Sequence, residues 1–285
     1  MALDNFTPEI WAREILFYLD KSLVWAQEGV VNRDYEGEIS QAGDTVHINQ
    51  VGPVTVGDYT KNTAITDPEV LTSTQRDLVI DQAKFVNFMV DDIDAAQNRP
   101  KVMQTAMGRA AYGLRDVADQ YVAGLYTGVA AANVIGTDAA PITITPTGST
   151  SAYDQLVDLG TALDEANVPT EGRWAIAAPA FVNMLAKDDR FTSSGDGASA
   201  QVRRNGFAGS AAGFDVMKSN NSPSATSQKV VTGIPAAISY AEQIPVSALE
   251  AYRPEKFFSD AVKGLHLYGA KLVEPSGIAV LHYTI

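Results

Sequence analysis

Residues 44–94 constrain the fold most. Two β-rich arms, 46–56 and 78–90, flank a polar connection, GDYTKNTAITDPE, at 57–69. Ala64 and Ile65 are its only aliphatic residues. Long connections without their own structure are uncommon inside compact domains, and they usually carry function or are disordered. Strand-like flanks predict a long hairpin that projects from the body. An isolated two-stranded ribbon is marginal in water, so a neighbouring subunit is expected to cover it. That expectation favours assembly over catalysis.

The rest of the chain supplies a body for this hairpin. Its 285 residues suffice for one elaborate domain or two smaller ones. Charged residues make up 19%, below the usual quarter, which leaves neutral surface for contact between subunits. Net charge is −13, and the longest basic run is Arg203–Arg204. Binding to duplex DNA needs several Lys or Arg to neutralise phosphates, so specific nucleic-acid recognition is disfavoured. With no cysteine, disulfides, thiolate metal sites and a cysteine nucleophile are excluded. The N-terminal residues lack a signal-peptide layout, and no apolar run approaches a membrane span.

Thr7-Pro8-Glu9 is a helix start, followed by an apolar stripe through Ile10, Trp11, Ile15, Leu16, Leu19 and Leu23. The stripe docks on its own domain or, as an arm, on a neighbour. FVNFMV at 85–90 predicts a buried strand. From Lys101 to Leu125, helical spacing predicts a spine of about seven turns. Its small residues Ala106, Gly108, Ala110, Ala111 and Gly113 would let another element approach closely. Helices are predicted at 153–166 and 179–188. Strands are predicted at 174–178, 214–217, 229–232, 265–272 and 277–283, with Pro275-Ser276-Gly277 as the turn between the last two.

Catalytic patterns are poorly represented. His47, His266 and His282 sit in predicted strands and lack metal-ligand spacing. Asp91, Asp92 and Asp94 lack the Gly and Glu of a calcium loop and suit a helix start instead. Gly197 to Gln201 lacks the second glycine of a nucleophile elbow. No catalytic, cofactor or metal residue is assigned, and the chain is read as a non-enzyme.

The order of segments resembles the major capsid proteins of tailed bacteriophages, with their Hong Kong 97-like α+β fold. FTPEIWAREILFYLDKSLV is similar to the family's N-terminal arm and first helix. DTVHINQVGPVTVGDYTKNTAIT and LVIDQAKFVNFMVDDIDAAQ are similar to its extended loop and the return from it. LHLYGAKLVEPSGIAVLHYTI is similar to its closing strands. The resemblance implies an N-terminal arm and first helix (1–43), an extended loop (44–90), a peripheral domain with the spine helix (91–150), an axial domain (151–245) and return strands of the peripheral domain (246–285). It implies pentamers and hexamers in an icosahedral head around double-stranded DNA, assembled in the host cytoplasm. A separate scaffolding protein and a portal are the implied partners, with no cofactor and no membrane. Candidate contact residues are Trp11, Val54, Val56, Tyr59, Lys61, Ile65, Arg203, Arg204 and Phe207. An encapsulin-type compartment shell and, less favoured, an α/β hydrolase-like enzyme are the alternatives.

Overall fold

The computed structural model describes residues 24–35, 45–51, 54–64, 67–71, 73–91, 101–146, 148–188, 209–243 and 250–285. Three α-helices are described: α1 (Lys101–Gly124), α2 (Ala152–Glu165) and α3 (Pro179–Leu185). The strands, in chain order, are β1 (Thr45–Val51), β2 (Ser73–Val79), β3 (Gln82–Asp91), β4 (Val134–Ile135), β5 (Ile142–Thr143), β6 (Trp174–Ala177) and β7 (Ser210–Ala211). They continue with β8 (Phe214–Lys218), β9 (Gln228–Gly233), β10 (Ile238–Gln243), β11 (Glu250–Tyr252), β12 (Ser259–Leu272) and β13 (Ile278–Thr284).

Seven strands form one mixed sheet in the order β4-β13-β9-β6-β8-β7, with β5 also paired to β13. Both faces are covered, which explains the apolar run WAIA and the run IAVLHY, broken only by His282. On one face Ala175, Ala177, Ala279 and Leu281 pack against Leu156 and Leu159 of α2 and Phe181 of α3. Ser151 caps α2 by accepting the Asp154 amide, and Pro179 opens α3. On the other face Trp174, Ile176, Ile278 and Val280 meet Trp25, Val30, Val31, Ala118 and Val122. Alternate residues of one strand thus serve two cores.

The second sheet is built around β12, a 14-residue strand. β3 runs along one side of it, while β10 and then β11 occupy the other. α1 lies against this sheet. Its buried residues Met107, Ala111, Leu114, Ala118 and Val122 recur every three or four positions, as the sequence predicts. Of the small residues expected to admit a close neighbour, Ala111 is buried, but among the described residues a Cβ on Gly108 or Gly113 would meet nothing within 4 Å, so no close approach is made at those two glycines.

The third sheet is the hairpin itself, β1 antiparallel to β2, with Thr45 opposite Val79 and Val51 opposite Ser73. Three expectations need correction here. The arm at 78–90 is not one strand. It turns at Ile80-Asp81, so that β2 returns the hairpin while β3 joins the sheet of β12. β3 is not buried: Phe85 is 77% exposed and Met89 is also exposed, because this strand lies at a sheet edge with one face open. β12 and β13 do not form a hairpin. The turn at Pro275–Gly277 is a 3-10 segment that carries the chain from one sheet to the other.

Candidate assembly surface

The hairpin divides into a rooted half and a bare half. At the root, Val46, Ile48, Leu78 and Ile80 bury against Ala241, Leu267 and Val273 of the same subunit. Val46 and Ile48 alternate along β1, Leu78 faces Val46 from β2, and Ile80 follows at the turn, so one hairpin face is fixed to the body. The opposite face at the root is polar. His47 lies across from Asp77 in register, with His47 Nδ1 2.7 Å from Asp77 Oδ1. Gln75 Nε2 donates to the same oxygen at 2.9 Å. The hydrogen bond with His47, then that with Gln75, holds the Asp77 carboxyl below the usual carboxylate range.

Beyond Val51 the chain leaves the body. Every described residue of 54–64 and 67–71 is exposed. Val56 is 94% exposed, Val70 87% and Tyr59 72%. The tip holds itself only lightly. The Thr55 amide donates to Glu69 Oε2 at 3.0 Å, and the Thr63 amide donates to the Thr60 carbonyl at 3.1 Å. Asn62 turns the chain in the left-handed region, at φ +64°, a conformation asparagine tolerates. Monomeric proteins seldom leave so many contiguous large apolar side chains in water, so this is the character of a contact surface.

Of the residues singled out from sequence, Val54, Val56, Tyr59 and Lys61 lie exposed along this tip. Trp11, Ile65, Arg203, Arg204 and Phe207 lie outside the described residues, as do the stripe beginning at Ile10 and most of the loop at 188–213. Sequence reasoning missed Val70 and Leu71 on the return leg, Phe85 and Met89 on β3, and Phe257 and Phe258 before β12, all exposed. Phe85 and Met89 were hidden because Val86 and Phe88 fill the intervening positions, so the run reads as continuous rather than alternating.

Three polar clusters, each with a buried member, tie segments of the body together behind the hairpin. Asp119 of α1 accepts the amides of Val24, Trp25 and Ala26 and so anchors segment 24–35, while burial pushes its carboxyl up. Glu242 pairs with Arg33, accepts from Tyr240 Oη at 2.6 Å and lies 3.2 Å from His266 Nε2. Burial would raise the Glu242 carboxyl, but His266, Arg33 and Tyr240 together hold it low. Lys229 is fully buried and bonds Asp138 at 2.7 Å. His282 Nδ1 lies 3.4 Å from the same Asp138 carboxylate, so each of the three histidines sits beside a carboxylate. Among the described residues no group of three or more His, Asp or Glu side chains could hold a metal ion.

Comparison with known proteins fits this architecture. The family described as phage capsid protein matches residues 53–281, more than half of the chain. Among solved structures, one from Mycobacterium phage Che8 is 29% identical and superposes with a TM-score of 0.69, covering 91% of each chain. The capsid structure of Cyanophage P-SCSP1u has 16% identity and a TM-score of 0.71, covering 92% of this chain and 88% of that one. A virus-like particle from Pyrococcus furiosus has 14% identity and a TM-score of 0.56, covering 96% and 98%, a likeness of fold alone. No curated protein matches the chain in sequence. With the family matched across the two larger sheets, the hairpin tip and α1, the chain belongs to the phage capsid protein family and is a major capsid protein with the Hong Kong 97-like fold.

Proposed function

We propose that this chain forms the pentamers and hexamers of an icosahedral phage head enclosing double-stranded DNA, each hairpin tip lying across an adjacent copy. The observation that carries this reading is the division of the hairpin, rooted through Ile48 and Leu78 in its own body and bare at Val56 and Val70. A tip that reaches a different patch on the next copy makes a head-to-tail contact, which closes into rings when the rotation allows. The rigid body behind it stays constant while the tip meets slightly different neighbours in rings of five and six. An acidic wall, net charge −13, confines DNA without binding it tightly.

In this reading residues 1–43 are the arm, 44–90 the extended loop, 91–150 with 246–285 the peripheral domain and 151–245 the axial domain. β13 nevertheless lies in the sheet with β6, β8 and β9, so the last segment serves both units. A scaffolding protein and a portal are the partners expected during assembly in the host cytoplasm. The compartment-shell alternative is not favoured, because the family match is to phage capsid proteins.

The test is deletion of residues 59–67. The variant is expected to keep the helical and strand content of the wild type in circular dichroism and to yield no particles by electron microscopy. Normal particles without the tip would overturn its role. A wild-type chain that stays monomeric at high concentration with its scaffold present would overturn the shell itself.

A further inference from the structure

α1 is gripped from both flanks within a short stretch. Advancing about 100° per residue, it turns Ala118 and Val122 into the core and leaves Asp119 and Tyr121 on opposite sides of that stripe. Asp119 holds the amides of Val24, Trp25 and Ala26 at 3.1, 3.2 and 3.4 Å. Tyr121 donates to Asp81 Oδ1 at 3.1 Å, at the turn where β2 passes into β3. A roll of α1 that lets Asp119 follow a departing segment 24–35 therefore swings Tyr121 off Asp81. Close-packed interiors pass such a displacement on rather than absorb it.

A second donor stands beside that carboxylate. Tyr268 of β12 packs edge-on against Tyr121, with ring centroids 5.5 Å apart. Tyr268 is fully buried, and among the described residues its hydroxyl has no hydrogen-bond partner. Buried hydroxyls are nearly always paired, because an orphan forfeits its solvation for nothing. Burial first, then the Tyr121 and Asp81 charges, push this hydroxyl up to about 12, so Asp81 lies within its electrostatic reach. Gln82, the neighbour of Asp81, is the register partner of Tyr268. One carboxylate thus has two tyrosines near it and uses one.

We propose that Asp81, Tyr121 and Tyr268 form a two-position latch, set by segment 24–35 through Asp119. With the segment seated, Tyr121 holds Asp81 and Tyr268 goes without. With the segment released, α1 rolls and Tyr268 takes over the carboxylate. The turn at Ile80-Asp81 then shifts along β12 and changes the angle at which the hairpin leaves the body. Segment 24–35 and α1 pack on one face of the β12 sheet and the hairpin root on the other, so the signal crosses the sheet at this turn. The latch works within one subunit; its use in building a shell rests on the assembly reading above.

Amide exchange on unassembled subunits tests it. Coupling between two sites acts equally in both directions, so each end reports on the other. Asp119→Ala is expected to quicken exchange at 78–81 at least about fivefold. Tyr121→Phe, which keeps the ring, is expected to quicken exchange at 24–26 by a similar factor. Tyr268→Phe has the opposite sign: without its second donor the latch stays in the first position, and exchange slows at both places. Amides of α2 keep their wild-type rates in all three variants. Effects of Asp119→Ala confined to 24–26, effects of Tyr121→Phe confined to 78–81, or quickened exchange in Tyr268→Phe would overturn the latch. So would quickening that spreads evenly into α2, the mark of a general loss of stability. If Asp119→Ala does not fold, the two phenylalanine variants decide the matter from the other end. Wild-type subunits that show the coupling yet never form particles overturn the assembly reading and leave the latch standing.

Discussion

Gly269 of β12 lies directly beneath Val79 at the end of β2: a Cβ at Gly269 would sit 2.3 Å from the Val79 carbonyl oxygen and 3.0 Å from the Ile80 Cα. The turn between β2 and β3 crosses the long strand at this point. Tyr121 of α1 steadies it by donating from its hydroxyl to Asp81 Oδ1 at 3.1 Å. The pivot of the hairpin is therefore a residue with no side chain.

Gly269→Ala should displace the hairpin root, because the obstructing atoms are backbone and cannot rotate away. Overpacking of this kind costs about 1–3 kcal/mol. Chemical denaturation should show the loss, and exchange at 78–81 should quicken. A variant as stable as the wild type would mean that the crossing has room to spare.

Asp138→Asn should lower the thermal midpoint at neutral pH, since it strips Lys229 of its counter-charge. Hydrogen bonding from Lys229, then from Ser227, holds the Asp138 carboxyl far below its ordinary value. A depressed carboxylate stabilises the fold above about pH 4, the unfolded value, and that stabilisation fades as pH falls toward the folded value. The gap between wild type and variant should thus narrow in acid. Adding Lys229→Met should recover stability, because the buried charge goes with its partner.

Asp119→Ala should free segment 24–35 from α1. Three backbone amides lose their acceptor, and an unsatisfied buried donor costs about 1–3 kcal/mol. Trp25 packs edge-on against Trp174 with ring centroids 6.3 Å apart. Loss of near-ultraviolet circular dichroism is the expected signature, with far-ultraviolet signal retained.

Glu242→Gln should weaken the same segment from its other end. Arg33 and His266 would face a neutral amide inside the protein, and breaking a buried pair costs about 3–5 kcal/mol. A fall in the urea midpoint at pH 7 checks this. Because the Glu242 carboxyl is held low in the fold, the difference should shrink as pH falls below about 4.

Val56→Asp and Phe85→Asp test the surface without touching the core. Substitutions at exposed positions usually stay within about 0.5 kcal/mol, so subunit melting should be unchanged. Particle yield should fall sharply in both.

What was legible in the sequence follows from the range of the interactions involved. α1 and the strands at 174–177 and 278–284 declare themselves through local periodicity or continuous apolar runs. The bare tip was legible too, because 57–69 lacks the apolar residues needed to bury it. The turn at Ile80-Asp81 was not. LVIDQAKF contains no glycine or proline there, and the permission for the turn comes from Gly269, remote in sequence. The openness of β3 was hidden for a related reason: whether a strand is covered depends on how many neighbours its sheet supplies. The sheet switch after β12 was equally invisible, since Pro275-Ser276-Gly277 also suits a simple hairpin.

β3 and β12 meet across most of the chain, with Asp91 opposite Ser259. Pairings this remote form late, after the entropy of closing a very long loop has been overcome. Until then β3 has no ladder on either side and no fixed shape to offer. A half-finished polypeptide therefore has neither the long sheet nor the hairpin root that rests on it. The last residues to be made are those that turn an open chain into a building block.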